Sequence, residues 1–240
     1  GARLCAAMML AVTGGAMISA SGWLVMLMWP SEWAYPIGAV GTLLMAWRVG
    51  RRSLGALGWI SGLLTALLVS ALLAARLGLG ESSAALLAWE PEPLFRAAMC
   101  AVAYAAMNLA LAIGGVCRCA QGTARRTVLL CAGLGVAVAA LLLLSDGVYR
   151  RQPELLTEAF PIVRLLAQFG RTGFLVSAGL MYLAVFTSLA AVLCALDGAA
   201  RECGPYLRAA LTLGPPLAVS LVGFEGIVDG LYAPAGLACL

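Results

Sequence analysis

Residues 103–115 read AYAAMNLALAIGG, a run without charge that is interrupted by a single amide side chain, Asn108. The run is continuous and rich in Ala and Leu rather than alternating, so it suits a helix and not a strand of a membrane barrel. It extends on both sides to cover about residues 95–117. A hydrocarbon core about 30 Å thick takes roughly 20 helical residues to cross at 1.5 Å each. The rest of the chain is alike. Of its 240 residues, 63% are hydrophobic and only 11% charged, against about 25% charged in soluble domains. The fold class expected is all-α, a polytopic transmembrane helix bundle forming one membrane domain over residues 1–240.

Eight apolar segments can be marked, at 4–29, 33–47, 53–75, 95–117, 127–149, 172–196, 206–224 and a shorter one at 231–240. Pro36 falls in the second, which is also brief, so charge supplies an independent check. If every segment crosses once, one side collects Arg3, Arg48, Arg51, Arg52, Arg118, Arg125, Arg126, Arg201 and Arg208 with two acids, Asp197 and Glu202. The other side holds the remaining six Arg and nine acids, and this asymmetry disappears if the second segment fails to span. Basic loops stay cytoplasmic, which places the N-terminal end of the chain in the cytoplasm of a cell whose plasma membrane the chain crosses several times. Trp29 and Trp33 then suit the outer interface and Trp47 the inner one.

The start, GARLCAAMMLAVTGG, has no initiator Met and outruns the apolar length of a signal peptide, so further segments are expected upstream. Glycine, 28 residues in all, recurs with Ala and Ser inside the spans, as in TGGAMISASGW at 13–23. Small residues let membrane helices approach closely, and packing is the expected role of Ser19, Ser21 and Ser61. Two outer connections are long. The second, RRQPELLTEAFPIVRLLAQFG at 150–170, has a helical apolar pattern interrupted by Pro161 and reads as two short helices in a V against the outer face, either a plain surface pair or a lid over a pathway.

Enzyme chemistry finds little to use. The chain has no His, so Ser-His and Cys-His pairs, HExxH helices and His-ligated iron are all excluded. Asp146, Asp197 and Asp229 stand near span boundaries rather than together. The eight Cys are scattered, and Cys117 and Cys119, one residue apart without a His, suggest no metal. Neither an enzyme nor a nucleic-acid partner is expected, because Arg on a membrane chain sets topology.

What remains are polar residues deep in helices. Asn108 is mid-span and must find a partner in the bundle or a cavity; an interhelical hydrogen bond is the plain reading and a ligand contact the sharper one. Tyr104 lies four residues earlier on the same face. Thr187 and Ser188, in MYLAVFTSLAAV at 181–192, are adjacent at mid-membrane. Their hydroxyls either bond back one turn or offer uncharged oxygens to a small cation. Pro215 and Pro216 are consecutive in LGPPLAVS and should kink the seventh segment. Glu225 and Asp229 belong at the outer connection, as solvated boundary acids.

AYAAMNLALAIGGV, MYLAVFTSLAA and VGFEGIVDGLYAPAG together resemble the YkvI-like bacterial membrane proteins. These are relatives of amino acid permeases in the amino acid, polyamine and organocation (APC) superfamily, which also includes spore germinant receptor subunits. The resemblance implies a LeuT-like core of two inverted five-helix repeats, here without its first two helices. Asn108 and Tyr104 would then lie on the sixth core helix and contact substrate. Thr187 and Ser188 would lie on the eighth and contribute to a cation site. The implied activity is secondary transport of a small amino-acid-like or amine solute by alternating access, with Na+ or H+ as coupling ion and no other cofactor. A non-transporting ligand-sensing receptor subunit and a structural membrane subunit are the competing readings. The partners expected are the lipid bilayer and the solute, with further copies of the chain or another membrane protein as an open alternative.

Overall fold

The computed structural model describes residues 2–52, 54–78, 124–152, 154–155 and 158–231. Among them there are helices and no strands: α1 Ala2–Met28, α2 Ala34–Gly50, α3 Leu54–Gly78, α4 Ala124–Tyr149, α5 Pro161–Ala167, α6 Gly170–Ala199, α7 Pro205–Ser220 and α8 Phe224–Gly230. Three contain stretches long and apolar enough to cross a membrane, Ala6–Met28 in α1, Trp59–Leu77 in α3 and Gly170–Ala199 in α6. The expected segment at 95–117, with Tyr104 and Asn108, lies outside the described residues, as do 79–94 and 232–240.

Pro36 does not break α2. The helix begins at Ala34, and Pro36 occupies its first turn, where the missing N–H would have had no intrahelical partner in any case. The same logic applies to Pro161, which is the first residue of α5 rather than an interruption; among the described residues before it, Glu154 and Leu155 lie in a 3₁₀ turn. The seventh segment also ends earlier than expected. α7 runs through Pro215 and Pro216 to Ser220, then Gly223 takes a positive φ of 86° immediately before α8. Glu225 sits in the first turn of α8, where a carboxylate faces the positive end of the helix dipole.

α1 is the centre of the bundle, packed against α2, α6, α7 and α8. It is largely apolar, with small hydroxyl residues as the only polar ones in its buried middle, as a helix packed against several others can be. Burial against lipid-like surroundings releases little free energy, so close fit does the work that water exclusion does in soluble cores. Ile18 of α1 is fully buried with Leu43 of α2 and Leu189 and Leu193 of α6. Towards the other end, Ala20 and Leu24 pack with Phe160, Val163 and Ala178. Glycines set the distances: a Cβ on Gly22 would lie 2.8 Å from the Tyr35 ring, and one on Gly15 would lie 2.6 Å from Val219.

α3 and α4 form a second pair. It meets the central group mainly through α6, with smaller contacts to α2 and, at its C-terminal end, to the segment that carries α5. There Leu72 and Ala75 of α3, Val148 of α4, Leu155 and Leu165 form one buried cluster. The segment from 154 to 167 is thus a strap between two groups of helices. Gly170, at φ 83°, lets the chain fold back sharply from α5 into α6.

Candidate functional site

A row of buried hydroxyls follows the interface of α1, α2 and α6. The Ser19 and Tyr35 hydroxyls share a hydrogen bond of 3.0 Å. Those of Thr42 and Tyr182 share one of 2.8 Å. Each phenol thereby spans two helices with an apolar ring and satisfies its own O–H, the arrangement that a buried Tyr requires. Ser21 donates to the Ile18 carbonyl at 2.7 Å and Ser177 to the Phe174 carbonyl at 2.9 Å. Thr13 differs, since its hydroxyl is buried with no partner among the described groups. Beside it, Gly14 and Gly15 bring α1 against Pro216 of α7. Pro215 and Pro216 have no N–H, so the Leu211 and Thr212 carbonyls lose the helical donors they would otherwise have.

At the Trp29 end of α1 a groove of about 210 Å³ is lined by Trp23, Leu27, Phe160, Val163 and Phe174, with Glu158 and Arg164 at its edge. The Arg164 guanidinium and Glu158 carboxylate stand 3.8 Å apart and are both well exposed, so solvent weakens their attraction. Phe160 also stacks on Phe224 of α8, ring centroids 5.5 Å apart. Aromatic walls beside one carboxylate and one guanidinium suit a small solute that bears both charges.

The opposite end is closed by an ion-pair cluster. Asp197, in the last turn of α6, is 6% exposed. It accepts from Arg208 Nε at 2.8 Å, and its other oxygen accepts from Arg208 Nη2. Arg51 approaches the same carboxylate at 3.9 Å, with its guanidinium 5.4 Å from the centroid of the Trp47 ring. One carboxylate thus ties the ends of α2, α6 and α7 together. Removing it leaves Arg208 without its counter-charge in a partly buried place. Asp197→Ala should lower the melting temperature in detergent by roughly 5–10 °C. Adding Arg208→Leu should recover at least half of that loss, because neighbouring sites couple. A fluorescence melt on the three proteins checks this, and an unshifted Asp197→Ala would make the pair a surface ornament.

Of the residues expected to form a site, Thr187 is buried and its hydroxyl donates to the Ala184 carbonyl at 3.0 Å, while Ser188 is exposed. Successive residues turn about 100° around a helix, so the two hydroxyls face different surroundings. Tyr104 and Asn108 lie outside the described residues. The Asp197 cluster was missed on the sequence, although one signal was there: a lone acid closing a long apolar helix on the Arg-rich side. Tyr35 and Tyr182 carried no such signal, since a Tyr in a membrane helix reads equally as interfacial anchor or as core.

No protein-family model, curated protein or solved structure matches the chain.

Proposed function

We propose that the chain is a secondary transporter domain that moves a small amino-acid-like or amine solute across the plasma membrane by alternating access, coupled to Na+ or H+. The observation that supports this most is a symmetry in how the helices pack. Exchange α1, α2 and α3 with α6, α7 and α8, and the set of neighbours among these six maps onto itself: α1–α2 onto α6–α7, α1–α7 onto α6–α2, α1–α8 onto α6–α3 and α2–α3 onto α7–α8, with α1–α6 unchanged. If the spans alternate as the Arg distribution suggests, α1 and α6 run in opposite directions. Such an exchange then describes an inverted repeat, the architecture in which membrane transporters bind solutes near the midplane.

Two further features favour movement between groups of helices. α1, α2, α6 and α7 are joined by close glycine contacts, by the Tyr35 and Tyr182 hydrogen bonds and by Asp197, and so behave as one body. α3 and α4 lean on that body through α6, a smaller contact with α2 and the strap that carries α5, a joint that permits rocking. In this reading the groove under Phe160 is the outer approach to the site, Asn108 and Tyr104 contact the solute, and Thr187 and Ser188 are the residues to test for a cation.

Flux is the deciding measurement. The purified chain in liposomes, given labelled amino acids and amines under an inward Na+ or pH gradient, should accumulate at least one of them above empty liposomes. Saturable binding without accumulation would favour a ligand-sensing receptor subunit instead. Neither binding nor flux would leave a structural membrane subunit.

A further inference from the structure

We propose that the Arg51 end of α2 binds the headgroup of an anionic phospholipid, with one acyl chain laid along the apolar face that continues from it. The inference rests on α2 lying in a bilayer and does not depend on transport. A cavity of about 670 Å³ is lined by Leu44, Trp47, Arg48, Arg51 and Arg52. These positions follow the i, i+3, i+4, i+7, i+8 pattern and so share one face of the helix as it runs into the turn. Arg48 and Arg52 are exposed and have no carboxylate partner among the described residues. Arg51 is only partly engaged, leaning between Trp47 and Asp197. The local chemistry is that of a phosphate site: three guanidinium groups offering forked donors.

The same face explains why the anion should belong to a lipid. Above the arginines it presents Leu44, Val40 and Ile37, which are 50%, 46% and 53% exposed. From Arg48 back to Ile37 the helix rises about 16 Å, close to the depth of one leaflet's hydrocarbon. A soluble anion would leave that stripe unused. A phospholipid fills both halves, with its phosphate among the arginines and its glycerol near Trp47, the residue type that favours that depth.

Native mass spectrometry of the purified chain in detergent, offered phosphatidylglycerol and phosphatidylcholine with identical acyl chains, tests the assignment. The wild type should retain phosphatidylglycerol at least about tenfold better. Arg48→Gln with Arg52→Gln should abolish the preference, whereas Lys at both positions should keep most of it. Equal retention of the two lipids by the wild type overturns the proposal without recourse to any variant. So does a preference that survives both Gln substitutions. Displacement of the bound lipid by millimolar glycerol 3-phosphate would assign the arginines to a soluble anion and overturn the lipid. Alkaline extraction of membranes separates the premise: release of the chain refutes its insertion, while a retained chain without lipid preference refutes only this site.

Discussion

Gly50→Val should stop the bundle from accumulating in folded form, with a monodisperse yield at least about tenfold below wild type. A Cβ at Gly50 would lie 2.7 Å from the Ala190 carbonyl oxygen, 3.4 Å from its carbon and 3.6 Å from its Cα. Those atoms are backbone of α6, and a helix backbone cannot move aside as a flexible side-chain tip can. The crossing of α2 over α6 must therefore open. Opening it draws Arg51 away from Asp197 and disturbs the packing of Leu43 against Leu189 and Leu193. Overpacking a close-fitted core commonly costs about 1–3 kcal/mol, and a clash with backbone belongs at or above the top of that range. Gly50→Ala should already be damaging, since its Cβ alone makes the clash. Gly41 is the control. It lies in the same helix with open space where its Cβ would be, and Gly41→Ala should leave yield and melting temperature within a few degrees of wild type. Size-exclusion profiles of the three variants decide it; normal yield from Gly50→Val would mean that α2 and α6 are not held at this distance.

The contrast between Gly50 and Gly41 also marks the limit of what the sequence exposes. Composition and long uncharged runs sufficed for helices throughout the described residues and for stretches long and apolar enough to cross a membrane, such as Ala6–Met28, because continuous apolarity is a local property. Pro36 and Pro161 misled in the same way, each looking like an interruption when it stands at the start of a helix. A proline's effect depends on whether its N–H was needed, and that depends on where the helix begins. The glycines look alike along the chain, yet only some face a neighbour, and which ones do is settled by helix crossings. The hydroxyls follow suit. Thr187 bonds back to its own helix, as buried Thr commonly does. Ser19 instead reaches Tyr35 on the next helix, a partner that no local pattern reveals.

Asn108→Ala should cut solute uptake at low solute concentration in proteoliposomes by roughly 10- to 100-fold while leaving the folded yield unchanged. The expectation comes from the cost of a polar group in an apolar run with no charge to pair with it. Where an Asn serves only to link helices, its hydrogen bond contributes about 0.6 kcal/mol, and its loss lowers the melting temperature by a degree or two with transport intact. Where it holds a charged group of a solute, the bond is worth roughly 10- to 100-fold in affinity, and uptake at low solute concentration falls by that factor. The two roles thus predict opposite patterns from one substitution, stability without flux or flux without stability. Tyr104→Phe refines the result, because it removes a hydroxyl four residues away in the sequence and keeps the ring. If both residues contact one solute, the double variant should lose less than the product of the single losses, since the second removal acts on a site already emptied. Full additivity would place them in separate surroundings, and unchanged uptake in Asn108→Ala would remove this residue from the solute's path.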